Sequence, residues 1–336
     1  MSQVIEQTQI GKRESFADLI AVAESEKTPY TSMLAKRKRP DQMDHSWQMK
    51  GYRVAGHKGV IDGVDATNFN STPRKRVHCY AQKIWDPVAV SDLAEEADVA
   101  GVSSGEMAAQ IADAFVTAAQ IIERRSLSSS DTIEQNAPTT GYETRGIFSW
   151  LSKDAQTTFP VPEEFRPNSS QVYSGTLAAF GETELLAMAR AAAKRRKGPT
   201  TLKGFVGIDL KAKFNDFTRY DATVAGSTAI RRFNQNAEDK QVINIIDRLV
   251  LDTGNIELHP SFFLDTNAAD GANTAYTDMS GAFVDMDMAG LAYTRLPRVF
   301  KLPYAGGGYK AVVDAIFIHM LDNPVGMFSA RINAAS

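Results

Sequence analysis

Several groups of residues have the types and spacing that chemistry would need. Gly101-Val102-Ser103-Ser104-Gly105 matches the G-x-S-x-G pattern of a hydrolase nucleophile elbow, where a strained strand-to-helix turn exposes a serine hydroxyl. An elbow needs an apolar strand before it, and Leu93-Ala94-Glu95-Glu96-Ala97-Asp98 is acidic. No oxyanion-hole glycine motif precedes it. The same residues read more simply as a helix start. Ser103 and Glu106 form a capping box, the hydroxyl taking an orphan backbone N–H and the carboxylate reaching back. Asp285-Met286-Asp287 offers two carboxylates, but a hard cation takes about 6 to 8 oxygen ligands, so a solvated loop is preferred. Gly306-Gly307-Gly308 has no Lys-Ser/Thr and no helix after it, and reads as a hairpin turn rather than a phosphate loop. His45, His57, His78, His259 and His319 are scattered, with no zinc-ligand spacing. His319 lies in an apolar strand and reads as a core or interface residue. No catalytic residue, metal site or cofactor is expected.

Stepping outward to the whole chain, 336 residues suffice for about two domains of roughly 100–200 residues each. Hydrophobic residues at 43% and charged residues at 23% are ordinary for a folded soluble protein. A net charge of -3 argues against a dedicated nucleic-acid binder. Basic runs at 36–39, 74–76 and 194–197 read as helix-end complements or intersubunit ion pairs, with genome contact by the first run a minority reading. The lone Cys79 excludes an intrachain disulfide and suits a reducing compartment. The start, Met1 to Glu6, lacks the regions of a signal peptide. The apolar run Ala311 to Leu321 is broken by Asp314 and His319, and falls short of the about 20 residues that span a bilayer. Synthesis in the cytoplasm and no membrane association follow.

The elements that must carry these residues come in an unusual order. Glu14 to Ser25 places Phe16, Leu19, Ile20 and Ala23 on one helical face, and Pro29 stops that helix. Residues 45–90 alternate and read as two long strands with a polar tip at 51–73. Trp47 and Met49 share a face; Val77, Cys79 and Ala81 share another. A two-stranded ribbon is at best marginal alone. No nearby apolar surface in the sequence is evidently meant for it, so a neighbouring subunit is the expected support. A long amphipathic helix is predicted over 103–127, with Met107, Ile111, Phe115, Ala118 and Ile122 on one stripe. Residues 128–175 read as connecting loops. A second helix is predicted over 182–197, acidic at its start and basic at its end. Then come a short strand at 205–208, a helix capped by Asp209 and reaching about Phe217, and strands at 242–251 and 256–259 around Asp252-Thr253-Gly254-Asn255. Strands at 299–302, 311–321 and 327–332 close the chain. The class is α+β.

With those residues in view, the chain resembles the major capsid proteins of tailed bacteriophages, whose shell-forming fold is shared with encapsulins and the floor domain of herpesvirus capsids. Four stretches carry the likeness. Thr28-Pro29-Tyr30-Thr31-Ser32-Met33-Leu34, followed by His45-Ser46-Trp47-Gln48, looks like the arm motif. Val88-Ala89-Val90-Ser91 leading to Val99-Ala100-Gly101 looks like the approach to the spine helix. Leu251 to Pro260 looks like a hairpin of the axial domain, and Asp322-Asn323-Pro324 with Gly326 like the last strand pair. Met43-Asp44 and the basic 36–39 run depart from the pattern.

The resemblance implies an N-terminal arm over 1–44 and an extended β-loop with its outgoing strand over 45–90. It also implies a peripheral domain over 91–175 with spine helix 103–127, an axial domain over 176–295, and peripheral C-terminal strands over 296–336. It further implies self-assembly into hexamers and pentamers of an icosahedral head around a DNA genome, in a virion. The expected assembly contacts are Phe16, Ile20, Tyr30, Trp47, Lys58, Arg74 and Arg76. Some relatives form a Lys–Asn isopeptide bond from the loop, which draws attention to Lys58 at its tip; non-covalent docking is preferred. The absence of a long charged helical extension before residue 14 suggests a separate scaffolding protein, beside a portal and a decoration protein. An encapsulin-type shell is the alternative of the same fold, and a serine hydrolase using Ser103 the alternative of another class.

Overall fold

The computed structural model describes residues 28–51, 59, 61–63, 65, 71–72, 74–97, 105–137, 139–217, 246–264, 279–304 and 306–332. The helix expected over 14–25, with Phe16 and Ile20, lies outside them. So do Lys58 and the Ser103-Ser104 half of the capping box.

The helices are α1 (Pro29–Met33), α2 (Asp92–Glu96), α3 (Glu106–Ser126), α4 (Ile147–Trp150), α5 (Glu182–Arg196) and α6 (Ile208–Asp216). The strands of the first half are β1 (Ala35–Lys36), β2 (Asp44–Lys50), β3 (Arg74–Tyr80), β4 (Gln82–Val90) and β5 (Val172–Tyr173). Those of the second half are β6 (Thr200–Val206), β7 (Arg248–Leu251), β8 (Gly254–Pro260), β9 (Gly281–Val284), β10 (Ala289–Lys301), β11 (Tyr309–Leu321) and β12 (Phe328–Ala330). The class is α+β as expected; among the described residues α6 and β7 lie in the chain between the parallel neighbours β6 and β8. The chain divides into two compact units, one holding 85–118 and 297–314, the other 28–84, 119–296 and the chain from 315 onward. The elements β4, α3, β10 and β11 each continue from one unit into the other.

The larger unit is built on a six-stranded mixed sheet in the order β5-β12-β9-β6-β8-β7. Of the strand expected at 205–208, Phe205 and Val206 end the longer β6, while Gly207 caps and Ile208 begins α6; β6 runs parallel to β8 and antiparallel to β9. The predicted hairpin at Asp252 is present as β7–β8, with Leu251 opposite Gly254. Helices α5 and α6 lie in one core with this sheet. Leu185, Met188 and Ala192 of α5 and Leu210 and Phe214 of α6 join Phe283 and Phe328, whose rings stack at 4.4 Å. Each of the leucine, methionine and phenylalanine side chains contributes about 1.5–3 kcal/mol of transfer free energy.

Helix α5 follows its sequence closely. Glu182 and Glu184 sit at the positive end of the dipole and Lys194, Arg195 and Arg196 at the negative end. The Gly181 N–H donates to Glu184 Oε2 at 3.0 Å, and Lys197 in left-handed conformation (φ 59°) ends the helix. Helix α6 differs from expectation. Gly207, not Asp209, holds the N-cap, with no side-chain cap, and Asp209 lies in the first turn, where its charge still suits the dipole.

Residues 128–175 are not surface connections. Ile147, Phe148, Trp150, Leu151, Val161 and Phe165 are all buried. The Ser, Thr and Asn content that suggested loops serves instead to satisfy the buried backbone. Thr132 Oγ1, for example, donates to the Glu143 carbonyl at 2.8 Å while accepting from the Tyr80 N–H at 3.0 Å.

In the smaller unit, Ser91 Oγ accepts from the Ala94 N–H and starts α2. Glu95 of α2 then accepts from the Met107 N–H at 2.8 Å, so a carboxylate from the preceding helix meets an orphan donor at the start of α3. The described helix begins at Glu106 rather than 103, and its 21 residues give a rod of about 32 Å. Of the expected stripe, Ala118 and Ile122 are buried while Phe115 stays 37% exposed. The turn before β11 is closed by Gly308 (φ +122°), where a Cβ would stand 2.1 Å from the Val90 carbonyl oxygen.

Candidate assembly surfaces

The Thr28-Pro29-Tyr30 segment is tied into the larger unit by a chain of buried polar contacts. Pro29 opens α1 at a position where its missing N–H costs nothing. The Tyr30 and Thr31 N–H groups donate to Glu123 Oε1 and Oε2 of α3 at 2.9 and 2.7 Å. Burial pushes the Glu123 carboxyl up, against the pull of those two backbone donors. Tyr30 Oη lies 2.7 Å from His319 Nε2, and His319 Nδ1 lies 2.9 Å from the Arg145 carbonyl oxygen. A carbonyl only accepts, so Nδ1 carries the proton and Nε2 accepts from the tyrosine. Burial lowers His319 to about 4 and raises the Tyr30 phenol. Tyr30 is wholly buried, its ring edge-on to Phe205 at 4.8 Å. Its ring therefore works inside its own subunit.

Arg37 of the 36–39 run is likewise internal. It pairs with Asp322 Oδ2 at 2.7 Å and donates to the Asp287 carbonyl, while β1 pairs with Gly290 and Leu291 of β10. The basic end of α5 also turns inward. Arg195 donates to the Glu164 and Arg166 carbonyls and to Gln171, and Arg196 pairs with Asp285. Asp285-Met286-Asp287 is thus not a solvated loop, because Asp285 is buried against that arginine.

The ribbon β2–β3 has the predicted strands, with Lys50 opposite Arg74, Gln48 opposite Arg76 and Trp47 opposite Val77. Its base does not wait for a neighbour. Met49, Val77, Cys79 and Tyr80 are buried in the same chain. Trp47 lies 5.5 Å from Trp150, and Phe159 stacks on His78 at 4.4 Å. The supporting surface comes from residues 128–175, which the sequence pattern had suggested were loops. Towards the tip, Lys50, Arg74, Lys75 and Arg76 are all exposed, with Lys50, Arg74 and Arg76 on one face.

The smaller unit exposes large apolar side chains: Trp85 (67%), Leu93 (86%), Phe300, Leu302, Tyr304 and Tyr309. Part of this set is held together locally. Tyr304 Oη donates to Asp92 Oδ2 at 2.6 Å, the Tyr304 and Tyr309 rings are 6.0 Å apart, and the Leu302 N–H donates to the Lys310 carbonyl. Exposed apolar side chains gathered in this way mark an interaction surface. Asp92, Glu96 and Asp113 add exposed negative charge.

Beneath the ribbon, Arg145 is fully buried. Its Nε meets Asp131 at 2.7 Å, its guanidinium donates to the Thr158 and Phe159 carbonyls, and it lies 4.5 Å over the Trp150 ring. Sequence reasoning passed over Glu123, Arg145 and Asp131, because a single charge in a helix or a polar loop gives no periodic signal. Among the described residues, no group of three or more His, Cys, Asp or Glu side chains is placed to hold a metal ion. No helix among them is long and apolar enough to cross a membrane.

Comparison with known proteins agrees with this arrangement. A family model described as SU10 major capsid protein matches residues 3–313. The chain is similar in structure to the capsid protein of cyanophage P-SCSP1u, at 12% identity and a TM-score of 0.62, covering 99% of this chain and 97% of that one. It is also similar to that of cyanophage A-1(L), at 14% identity and a TM-score of 0.63, covering 96% and 98%. The capsid of a native GTA particle matches at 10% identity and a TM-score of 0.59, covering 97% and 96%. At these identities the likeness speaks for the fold. No curated protein sequence matches the chain.

Proposed function

The chain belongs to the SU10 major capsid protein family, and from that premise we propose that its copies hold one another through the ribbon and the N-terminal arm, in hexamers and pentamers that close an icosahedral head. The protein is a structural component of the phage capsid, and self-association into a shell is its activity. The encapsulin and Ser103 hydrolase readings are not favoured by the family match.

The observation that supports this mode of assembly is a complementarity between two surfaces. One face of the ribbon carries the exposed cations Lys50, Arg74 and Arg76. The smaller unit presents exposed apolar side chains around Tyr304 and Tyr309 beside the exposed carboxylates Asp92 and Glu96. A ribbon laid on that unit of the next copy would bury the apolar set and pair the charges. Repeated head to tail, such a heterologous contact makes a ring when its rotation closes. In this reading Trp47 sets the direction of the ribbon from its root, Arg74 and Arg76 supply charge, and Lys58 and the Phe16–Ile20 segment add contacts with neighbours. The arm over 1–44, loop over 45–90, peripheral parts over 91–175 and 296–336, and axial domain over 176–295 keep the roles the resemblance assigns. A separate scaffolding protein, a portal and a decoration protein complete the head. DNA is enclosed without sequence-specific binding, and the chain is made in the host cytoplasm.

The test is a double charge reversal, Arg74→Glu with Arg76→Glu, followed by sedimentation of the assembled fraction. The expected result is loss of rings and shells with an unchanged unfolding midpoint of the subunit. Shells formed in wild-type yield would overturn the docking of the ribbon.

A further inference from the structure

We propose that Phe159 is a positioning residue for assembly: held in a strained backbone conformation, its ring closes one side of a clamp that fixes the direction in which the ribbon leaves the subunit. This deepens the assembly reading above and rests on it, since the direction matters only if the ribbon docks on a neighbour.

The ribbon is gripped on both faces at its root. Side chains alternate along a strand, so Trp47 and Val77 lie on one face and His78 and Tyr80 on the other. Trp150 meets the first face, 5.5 Å from Trp47. Phe159 meets the second. Its ring stacks on His78 at 4.4 Å with 17° between the planes, and lies 5.4 Å from Tyr80. His78 is further held by Asp44, whose Oδ1 lies 3.2 Å from Nδ1. The same face of β3 continues outward to Arg76 and Arg74, the cations assigned to docking. Phe159 therefore sits at the inner end of the docking face.

Both sides of the clamp meet at one buried side chain. The Arg145 guanidinium lies 4.5 Å over the Trp150 ring and donates to the Phe159 carbonyl at 3.1 Å. It also donates to the Thr158 carbonyl, while Asp131, its ion-pair partner, accepts from the Thr158 N–H at 3.3 Å. The backbone at 158–159 is thus fixed through an N–H and two carbonyls.

The conformation so fixed is a strained one. Among the described residues, Phe159 (φ 46°) and Lys197 are the non-glycine residues with positive φ. Lys197 ends α5, where a left-handed residue is common. Phe159 ends no helix, and a bulky residue at positive φ is an outlier. Pro160 after it narrows its choices further. Strain of this kind persists where the surroundings over-determine it, and it gathers at working sites. Glycine would take this φ freely. What phenylalanine adds is the ring on His78 and Tyr80.

The test places spin labels at Lys75→Cys on the ribbon and Lys194→Cys on α5, both exposed positions, with the native Cys79 buried. The unassembled subunit should give one narrow distance distribution. Phe159→Gly keeps the φ and removes the ring. The distribution should then broaden, and the concentration at which rings and shells appear should rise about ten-fold, because ordering of the ribbon falls on the docking step. Phe159→Tyr keeps the ring and should restore both readings. Phe159→Leu, with apolar bulk but no flat ring, should fall between them and serves if the glycine variant does not fold. A narrow distribution in the glycine or leucine variant would overturn the inference even with a lowered unfolding midpoint, since Phe159 would then add packing alone. If Arg74→Glu with Arg76→Glu blocks assembly in that case, the docking reading stands and only this inference falls. A broadened distribution with assembly at the wild-type concentration would overturn the inference and the docking of the ribbon together.

Discussion

Tyr30 and His319 lie 289 residues apart in the sequence and share a 2.7 Å hydrogen bond in the protein interior. The bond ties the Thr28-Pro29-Tyr30 segment to the long strand β11. Its direction is fixed by the Arg145 carbonyl, which obliges His319 to donate from Nδ1 and accept at Nε2. Glu123 holds the same segment from its other side through two backbone N–H groups. The Thr28-Pro29-Tyr30 segment is thereby held by groups that tolerate little change.

Tyr30→Phe removes the hydroxyl and leaves His319 Nε2 buried without its donor. We expect a loss of about 1–3 kcal/mol, the cost of an unsatisfied buried polar group. Tyr30→Ala should cost about 3–5 kcal/mol, because it adds a cavity beside Phe205. Urea unfolding of the unassembled subunit checks both, and equal midpoints for Tyr30→Phe and wild type would contradict the hydrogen-bond assignment.

The pH dependence follows from the same pair. His319 is lowered from 6.5 to about 4 by burial, so between those values the unfolded chain binds the proton and the folded chain does not. The contribution is fully present above pH 6.5 and is lost as the pH falls towards 4, by about 3 kcal/mol at most. Protonation also sets Nε2–H against the tyrosine hydroxyl, which must then turn to accept. Glu123 works in the opposite sense. Its raised carboxyl favours the fold at low pH and costs stability as the pH rises through its shifted value. His45 and His259 are lowered too, so His319→Gln should flatten the acid slope between pH 6.5 and 4 without abolishing it. An unchanged slope would show that His319 is not the main titrating group.

Arg145 is the other internal fixture. Arg145→Met would leave Asp131 and two carbonyls without their donor, and removing one partner of a buried pair costs about 3–5 kcal/mol. Arg145→Lys keeps the charge but not the planar fork over Trp150, and should fall between the two. Thermal unfolding ranks the three proteins. A wild-type midpoint for Arg145→Met would show that the ribbon's support does not depend on this arginine.

How far the sequence disclosed these features depended on their physical form. Periodic signals were legible. The pairing of β2 with β3 and the hairpin at Asp252 came from alternation and turn residues, and α5 came from the acidic and basic charges at its two ends. The Thr28-Pro29-Tyr30 segment was legible as a motif, but its purpose was not, because its partners Glu123 and His319 are distant in the chain. The buried role of 128–175 was hidden for a related reason. Its Ser, Thr, Asp and Arg residues look like surface loop and are in fact hydrogen-bonded inside. The support of the ribbon was misplaced as a consequence, since Trp150 and Phe159 stand on that segment. Of the proposed contacts, Trp47, Arg74 and Arg76 could be placed on the ribbon, while surfaces such as the one around Tyr304 and Tyr309 become visible only when side chains distant in sequence are seen together.

The smaller unit offers a direct test of its exposed face. Leu93→Asp and Tyr309→Ser change side chains that are 86% and 52% exposed, so each should shift the subunit's stability by no more than about 0.5 kcal/mol. Both should reduce assembly, as read by light scattering. Normal assembly with either substitution would mean that this face points to solvent in the shell.

The central claim is that this chain builds a closed shell, and electron microscopy of the purified protein beside size-exclusion chromatography tests it most directly. The account predicts uniform icosahedral particles, or free rings of five and six subunits, when the chain is produced with the proposed scaffolding protein. A stable monomer or dimer under those conditions would contradict it.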